Sequence, residues 1–100
     1  MFTIIWRFRV VAGQEAEFEK HYADEGSWAA LFRKDPAWLA TQLLHDADQA
    51  DVYLTIDQWA TQEAYAGFRQ YHASAYAELD RRCDVLTSEE TLVGHFVHAS

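Results

Sequence analysis

Residues 51–76 read DVYLTIDQWATQEAYAGFRQYHASAY, and this stretch decides the fold. In its first half Val52, Leu54 and Ile56 alternate with Tyr53, Thr55 and Asp57, the period of a strand with two distinct faces. Trp59 closes that strand. Thr61 then stands where a helix N-cap belongs, and Glu63 falls in the first turn, where a negative charge suits the helix dipole. Tyr65, Phe68, His72 and Tyr76 recur on one side at helical spacing. A strand that runs into a helix in this way is expected to turn Trp59 and His72 toward a common space.

The flanking sequence supplies the other elements. Phe2, Ile4, Trp6, Phe8 and Val10 alternate with Thr3, Ile5, Arg7, Arg9 and Val11 until Ala12-Gly13 breaks the pattern, which predicts a first strand over Phe2–Val11. Gln14–Tyr22 reads as a helix, with Phe18 and Tyr22 four apart and Glu15 and Glu17 near its start. Gly26-Ser27 interrupts it, Trp28–Arg33 makes a short second helical piece, and Asp35-Pro36 stops that piece. Trp38–Asp46 reads as the second strand and Ala47–Ala50 as a hairpin turn into the third. Beyond Trp59 the helix is expected to continue from Thr61 to about Leu86, and Glu90–His98 alternates again as a last strand. The order βα(α)ββαβ, without repeat or low-complexity segment, predicts an α+β subunit. Its form is a ferredoxin-like four-stranded antiparallel sheet with helices on one face.

Composition bounds the function. One hundred residues with 50% hydrophobic and 15% aromatic content suit one domain, residues 1–100, with a real core. Sixteen acidic against eight basic residues give a net charge of −8, which repels phosphate backbones and anionic membrane surfaces, so no nucleic acid and no membrane are expected as partners. No apolar run approaches the length of a membrane span. Cys83 is the only cysteine and reads as a small buried hydrophobe, and the expected setting is the reduced cytoplasm. Both faces of the strands carry apolar residues: Ile4, Trp6 and Phe8 on one, Ile5 and Val11 on the other, with Val52, Leu54 and Ile56 opposing Tyr53 and Trp59. Two helices cover one face only. A bare apolar sheet face is rarely tolerated by a monomer, so a homodimer with sheets packed face to face is expected.

A metal site is not expected. His95 and His98 point to opposite faces of a strand, and Glu17, His21 and Asp24 or Glu25 read as a solvated helix face. HExxH, CxxC, GxSxG and a Gly-rich phosphate loop do not occur. Asp57 and Asp80 flank the expected pocket element and each could orient a histidine or an arginine, with surface solvation or helix capping as the expected role.

A strand ending in Trp59, a helix capped by Thr61, an aromatic at Phe68 and a later His72, within about 100 residues, together resemble the antibiotic biosynthesis monooxygenase family of dimeric α+β barrels. The resemblance runs from FTIIWRFRVVAGQEAEF to EETLVGHFVH. It implies one pocket per subunit between sheet and helices, and oxygenation of a quinol or polyketide-like aromatic with no cofactor, neither metal nor flavin. His72 would then remove a phenolic proton and Trp59 would position the substrate or its oxygen adduct. Trp6, Phe8, Tyr65, Phe68 and Tyr76 would wall the pocket. A histidine titrates near neutral pH, and Tyr76, one turn on, could satisfy one of its nitrogens. The alternatives are an aromatic core with no site, since aromatics at helical spacing are more often core, and a non-catalytic homodimer that sequesters a small aromatic metabolite. Haem binding is a third. The haem-degrading branch has an asparagine on its first strand where this chain has Trp6, and an indole there would fill space a porphyrin needs, which weakens that alternative although His72 could still serve as an axial ligand.

Overall fold

A computed structural model describes residues 1–99 of the chain. Strand β1 (Phe2–Val10) is followed by helices α1 (Glu15–Tyr22) and α2 (Ser27–Phe32), strands β2 (Trp38–His45) and β3 (Val52–Trp59), helices α3 (Gln62–Tyr71) and α4 (Ala73–Cys83), a 3-10 turn (Asp84–Leu86) and strand β4 (Thr87–Val97). The four strands form one antiparallel sheet in the order β2-β3-β1-β4, with Ile5 of β1 opposite Ile56 of β3.

Register sorts the side chains into two layers, because cross-strand partners point to the same side. The helix-facing layer holds Phe2, Ile4, Phe8 and Val10 of β1 with Tyr53 and Trp59 of β3. It meets Phe18, Tyr22, Trp28, Leu31, Phe32, Phe68, Cys83 and Leu86 from the helical side. Phe18 is the hub: it stacks on Tyr22 at 4.2 Å, meets Tyr53 at 4.9 Å and stands edge-on to Phe8 at 5.4 Å. Full burial of each such side chain is worth about 1.5–3 kcal/mol. Tyr53 satisfies its hydroxyl by donating to Glu19 at 2.6 Å.

Local chemistry sets the connections. Gly13 takes a positive φ of 87° before α1, a conformation that costs glycine least. At Gly26 a side-chain carbon would lie 2.7 Å from the carbonyl oxygens of Lys20 and His21, so only glycine lets α2 begin this close to α1. In the β2–β3 turn, Asp46 Oδ1 accepts from the backbone N–H of Asp48 at 2.8 Å and of Gln49 at 3.0 Å. Arg9 ties that hairpin to β1 through a 2.8 Å bond to Asp51.

The expected single helix from Thr61 to Leu86 is two helices and a 3-10 turn. The break is at His72, whose φ of −106° and ψ of 28° leave the helical region. Backbone bonds bridge the break on both sides, from His72 N–H to Phe68 and from Tyr76 N–H to His72, each at 2.9 Å. Strand β4 starts at Thr87 rather than Glu90 and carries a bulge opposite Ile5/Trp6 that shifts its register by one residue. Thr61 caps α3 as expected, accepting from Ala64 N–H at 3.1 Å. Cys83 is buried.

The second face of the sheet carries no helix. Ile5, Leu54 and Ile56 sit at its centre, half-buried by their neighbours, with the more exposed Leu44 and Phe96 at its flanks. Among the described residues no helix is long and apolar enough to cross a membrane.

Candidate active site

The helix-facing layer does not close completely. Between sheet and helices lies a recess of about 520 Å³ including its open mouth, and the centre of a water-sized sphere can move through only about 50 Å³ of it. Ile4, Trp6 and Phe8 of β1, Tyr22 of α1, and Trp28 and Phe32 of α2 supply apolar and aromatic walls. Tyr65 of α3 and Tyr76 of α4 bring hydroxyls. Thr41 of β2 with Thr55 and Asp57 of β3 make a polar floor, and Asp80 of α4 and Glu90 of β4 add two carboxyls.

The walls hold one another. Trp6 lies 6.4 Å from Phe8, Phe8 lies 4.9 Å from Tyr22, and Trp28 meets Tyr76 edge-on at 4.8 Å. Arg69 donates to the Tyr65 hydroxyl at 3.2 Å and places its guanidinium 3.8 Å from the centre of the Tyr76 ring. Thr41 donates to Asp57 at 2.8 Å and accepts from the Trp38 indole N–H at 3.1 Å.

Enclosure shapes the acid–base behaviour of the site. Asp57 is pushed up to about 6 by loss of solvent, against the Thr41 hydrogen bond, which favours the carboxylate. Burial also raises Asp80, with the Asp84 charge adding to it, and raises Glu90, with Asp80 and Asp84 adding to it. The Tyr76 hydroxyl is held protonated chiefly by burial, and so is that of Tyr22.

Of the residues singled out from sequence, Trp6, Phe8, Tyr65 and Tyr76 line this recess, whereas Trp59, Phe68 and His72 do not. Trp59 is fully buried behind the wall, 5.5 Å from Phe32 and 5.2 Å from Tyr65, and its indole N–H has no partner among the described residues. Phe68 stands between the other two, 4.9 Å from the Trp59 ring and 5.0 Å from that of His72. The expected common space of Trp59 and His72 is therefore occupied by the Phe68 ring. Tyr76 meets His72 through a backbone bond, not through its hydroxyl.

Asp57 and Asp80, expected beside the pocket element as solvated or capping residues, are part of the recess lining. The signal for Asp57 was present in the sequence, since it shares parity with Tyr53, Thr55 and Trp59 and so faces the helices. Glu90 was not legible in the same way: it joins the wall because it pairs with Phe8, in the stretch of β4 between its two register shifts. Among the described residues no three His, Cys, Asp or Glu side chains converge as a metal site would require.

The antiparallel sheet, its helices and the aromatic-lined recess between them define an α+β domain, and residues 1–78 match the family model of antibiotic biosynthesis monooxygenases. The chain belongs to that family. Its structure is similar to that of SnoaB, a cofactor-independent oxygenase from Streptomyces nogalater, with a TM-score of 0.78 and 25% identity over 99% of this chain and 93% of that one. Two more distant structures share the fold. A protein from Bordetella bronchiseptica assigned to the antibiotic biosynthesis monooxygenases has a TM-score of 0.78 at 20% identity, covering 99% of this chain and 97% of that one. One from Deinococcus radiodurans with the same assignment reaches 0.79 at 13% identity, covering 100% and 94%. No curated protein matches the chain by sequence.

Proposed function

We propose that the protein is a monooxygenase that oxidises a small planar aromatic of quinol or anthrone type with O2 and with neither metal nor flavin. The observation that carries this reading is the recess itself: flat aromatic walls for a ring system, with hydroxyls and a carboxyl gathered on its floor. Membership of a monooxygenase family and likeness to a cofactor-independent oxygenase support the reaction class. For an anthrone-type substrate the balance is one ring CH2 plus O2 giving one ring carbonyl plus water. Asp80 and Glu90 disfavour a carboxylated ligand.

The recess is narrow, so a bicyclic or tricyclic ligand needs Trp6, Tyr65 or Tyr76 to rotate aside. A porphyrin does not fit it. Trp6 stands in the wall and His72 lies outside, where it cannot reach an iron held in the recess. The homodimer through the bare sheet face is part of the same proposal, since burying Ile5, Leu54 and Ile56 would stiffen the sheet that forms the floor.

The test is O2 uptake by EDTA-treated protein given 1,8-dihydroxyanthrone, corrected for spontaneous oxidation. The expected result is one O2 consumed per dihydroxyanthraquinone formed. Quenching of the tryptophan fluorescence by the same compounds with no O2 uptake above background would replace the enzyme with a protein that sequesters aromatics.

A further inference from the structure

The floor of the recess contains a polar chain with a fixed direction. An indole nitrogen can only donate, so the Trp38 N–H, 3.1 Å from Thr41 Oγ1, occupies an acceptor position of that hydroxyl. The Thr41 hydroxyl, which keeps its own proton, donates to Asp57 Oδ1, 2.8 Å away. A hydroxyl held as a donor suits a carboxylate rather than a carboxylic acid. Asp57 Oδ2 makes no hydrogen bond to the described residues, and Asp57 lines the recess.

Among the described residues no cation neutralises this carboxylate. The titratable groups that share the recess are Tyr22 of α1, Tyr65 of α3, Tyr76 and Asp80 of α4, and Glu90 of β4. Arg69 is engaged by Tyr65 and Tyr76, and Arg33 lies 5.5 Å from the centre of the Trp38 ring. The carboxyl of Asp57 is shifted by burial and by Thr41, not by another charge. An unneutralised carboxylate with one free oxygen in an aromatic recess is an acceptor awaiting an O–H donor.

We propose that Asp57 is the general base of the oxygenation, with Thr41 as its positioning residue, and that the substrate is a neutral phenol or enol whose hydroxyl is presented to the β2–β3 floor. This rests on the monooxygenase reading. The substrate O–H breaks, its proton passes to Asp57 Oδ2, and the electron pair stays on the substrate as an enolate. The enolate carbon forms a C–O bond to O2 and reduces it to a bound peroxide, which takes the proton back from Asp57. Loss of the carbon-bound hydrogen with the distal oxygen, as water, breaks the O–O bond and leaves the carbonyl.

Turnover of 1,8-dihydroxyanthrone by the whole chain, measured against pH, tests the assignment. In the wild type kcat/KM should rise with pH through about 6 and then level, because only ionised Asp57 accepts the proton. Asp57→Asn should lose about 10²-fold or more in kcat with KM little changed, and should lose that acid limb. Thr41→Val should keep a limb but move it to higher pH, since the lost hydrogen bond had favoured the carboxylate. A limb that persists in Asp57→Asn, or that follows Glu90→Gln or His72→Ala instead, overturns the proposal while leaving the monooxygenase reading intact.

If the wild type shows no turnover, that reading falls, and binding of the already oxidised 1,8-dihydroxyanthraquinone decides the role of Asp57 separately. Its affinity, read by tryptophan fluorescence, should change stepwise through about pH 6 in the wild type and not in Asp57→Asn. The same step in both proteins, or in neither, overturns Asp57 as the acceptor.

Discussion

A carboxyl that titrates at about 6 in the folded chain and at about 3.9 when unfolded weakens the fold it belongs to. The native state holds the proton more tightly than the unfolded state. Stability contributed by Asp57 is therefore greatest below pH 4, falls as pH rises from about 4 to about 6, and stays low at pH 7. Asp57→Asn removes the penalty and keeps an oxygen for Thr41 to donate to. We expect it to be more stable than the wild type at pH 7 by on the order of 2 kcal/mol, a gain that vanishes near pH 4. Denaturant midpoints at the two pH values check this, and an unchanged difference between them would mean that enclosure does not act on Asp57. Trp59 sets the opposite case. It lies behind the wall at 0% exposure, against Phe32, Tyr65 and Phe68, so Trp59→Ala should cost about 3–5 kcal/mol of stability. The unpartnered indole N–H is a cost of about 1–3 kcal/mol that the packing outweighs.

The two glycines at element boundaries and interiors separate backbone need from accident. Gly67 lies inside α3 with nothing within 4 Å of the place a side-chain carbon would take, and its φ is not positive. Gly67→Ala should therefore stabilise by about 0.5–1 kcal/mol, seen as a rise of a few degrees in Tm. Gly26→Ala should do the reverse, because the new carbon would meet two backbone carbonyl oxygens at 2.7 Å. A Tm raised by both substitutions would contradict the close approach of α2 to α1. The strands were legible because the alternation Phe2, Ile4, Trp6, Phe8 and the run Val52 to Asp57 are set by which face is buried, and that is a property of local sequence. The break at His72 was not. Neither proline nor glycine marks it, and the helical spacing of Phe68, His72 and Tyr76 continues across it, so only tertiary packing turns α4 away from α3. The same limit applies to the site. Strand alternation for Trp6 and Phe8, helical spacing for Tyr65 and Tyr76 and the family resemblance together pointed these four to the recess, but none of them could say that the Phe68 ring fills the space between Trp59 and His72.

At the scale of the molecule the unresolved balance is the second face of the sheet. Ile5, Leu54 and Ile56 form an apolar centre there, with Leu44 at 40% and Phe96 at 46% exposure beside it. On the β1 side of this face Arg7 stands opposite Leu54 and Arg9 opposite Val52, and both reach Glu89 of β4, at 3.9 and 3.5 Å, so ion-paired arginines border the apolar residues on that side. Apolar residues bordered by paired charges are the mixture an interface between copies buries. A twofold copy would bury the centre against itself, because an isologous contact needs only one self-complementary patch. Light scattering at micromolar concentration should therefore give twice the 11.6 kDa chain mass. Ile56 lies between Ile5 of β1 and Gln42 of β2, near the middle of the patch with no cation opposite it, so Ile56→Glu places two carboxylates in one dry contact. The cost of such unpaired buried charges, several kcal/mol, should yield a monomer or an unfolded chain. Circular dichroism distinguishes the two. A folded monomer in the variant and a dimer in the wild type would establish the face as the interface, whereas a wild type that scatters as 11.6 kDa at all concentrations would show that the bare sheet face is stable in water.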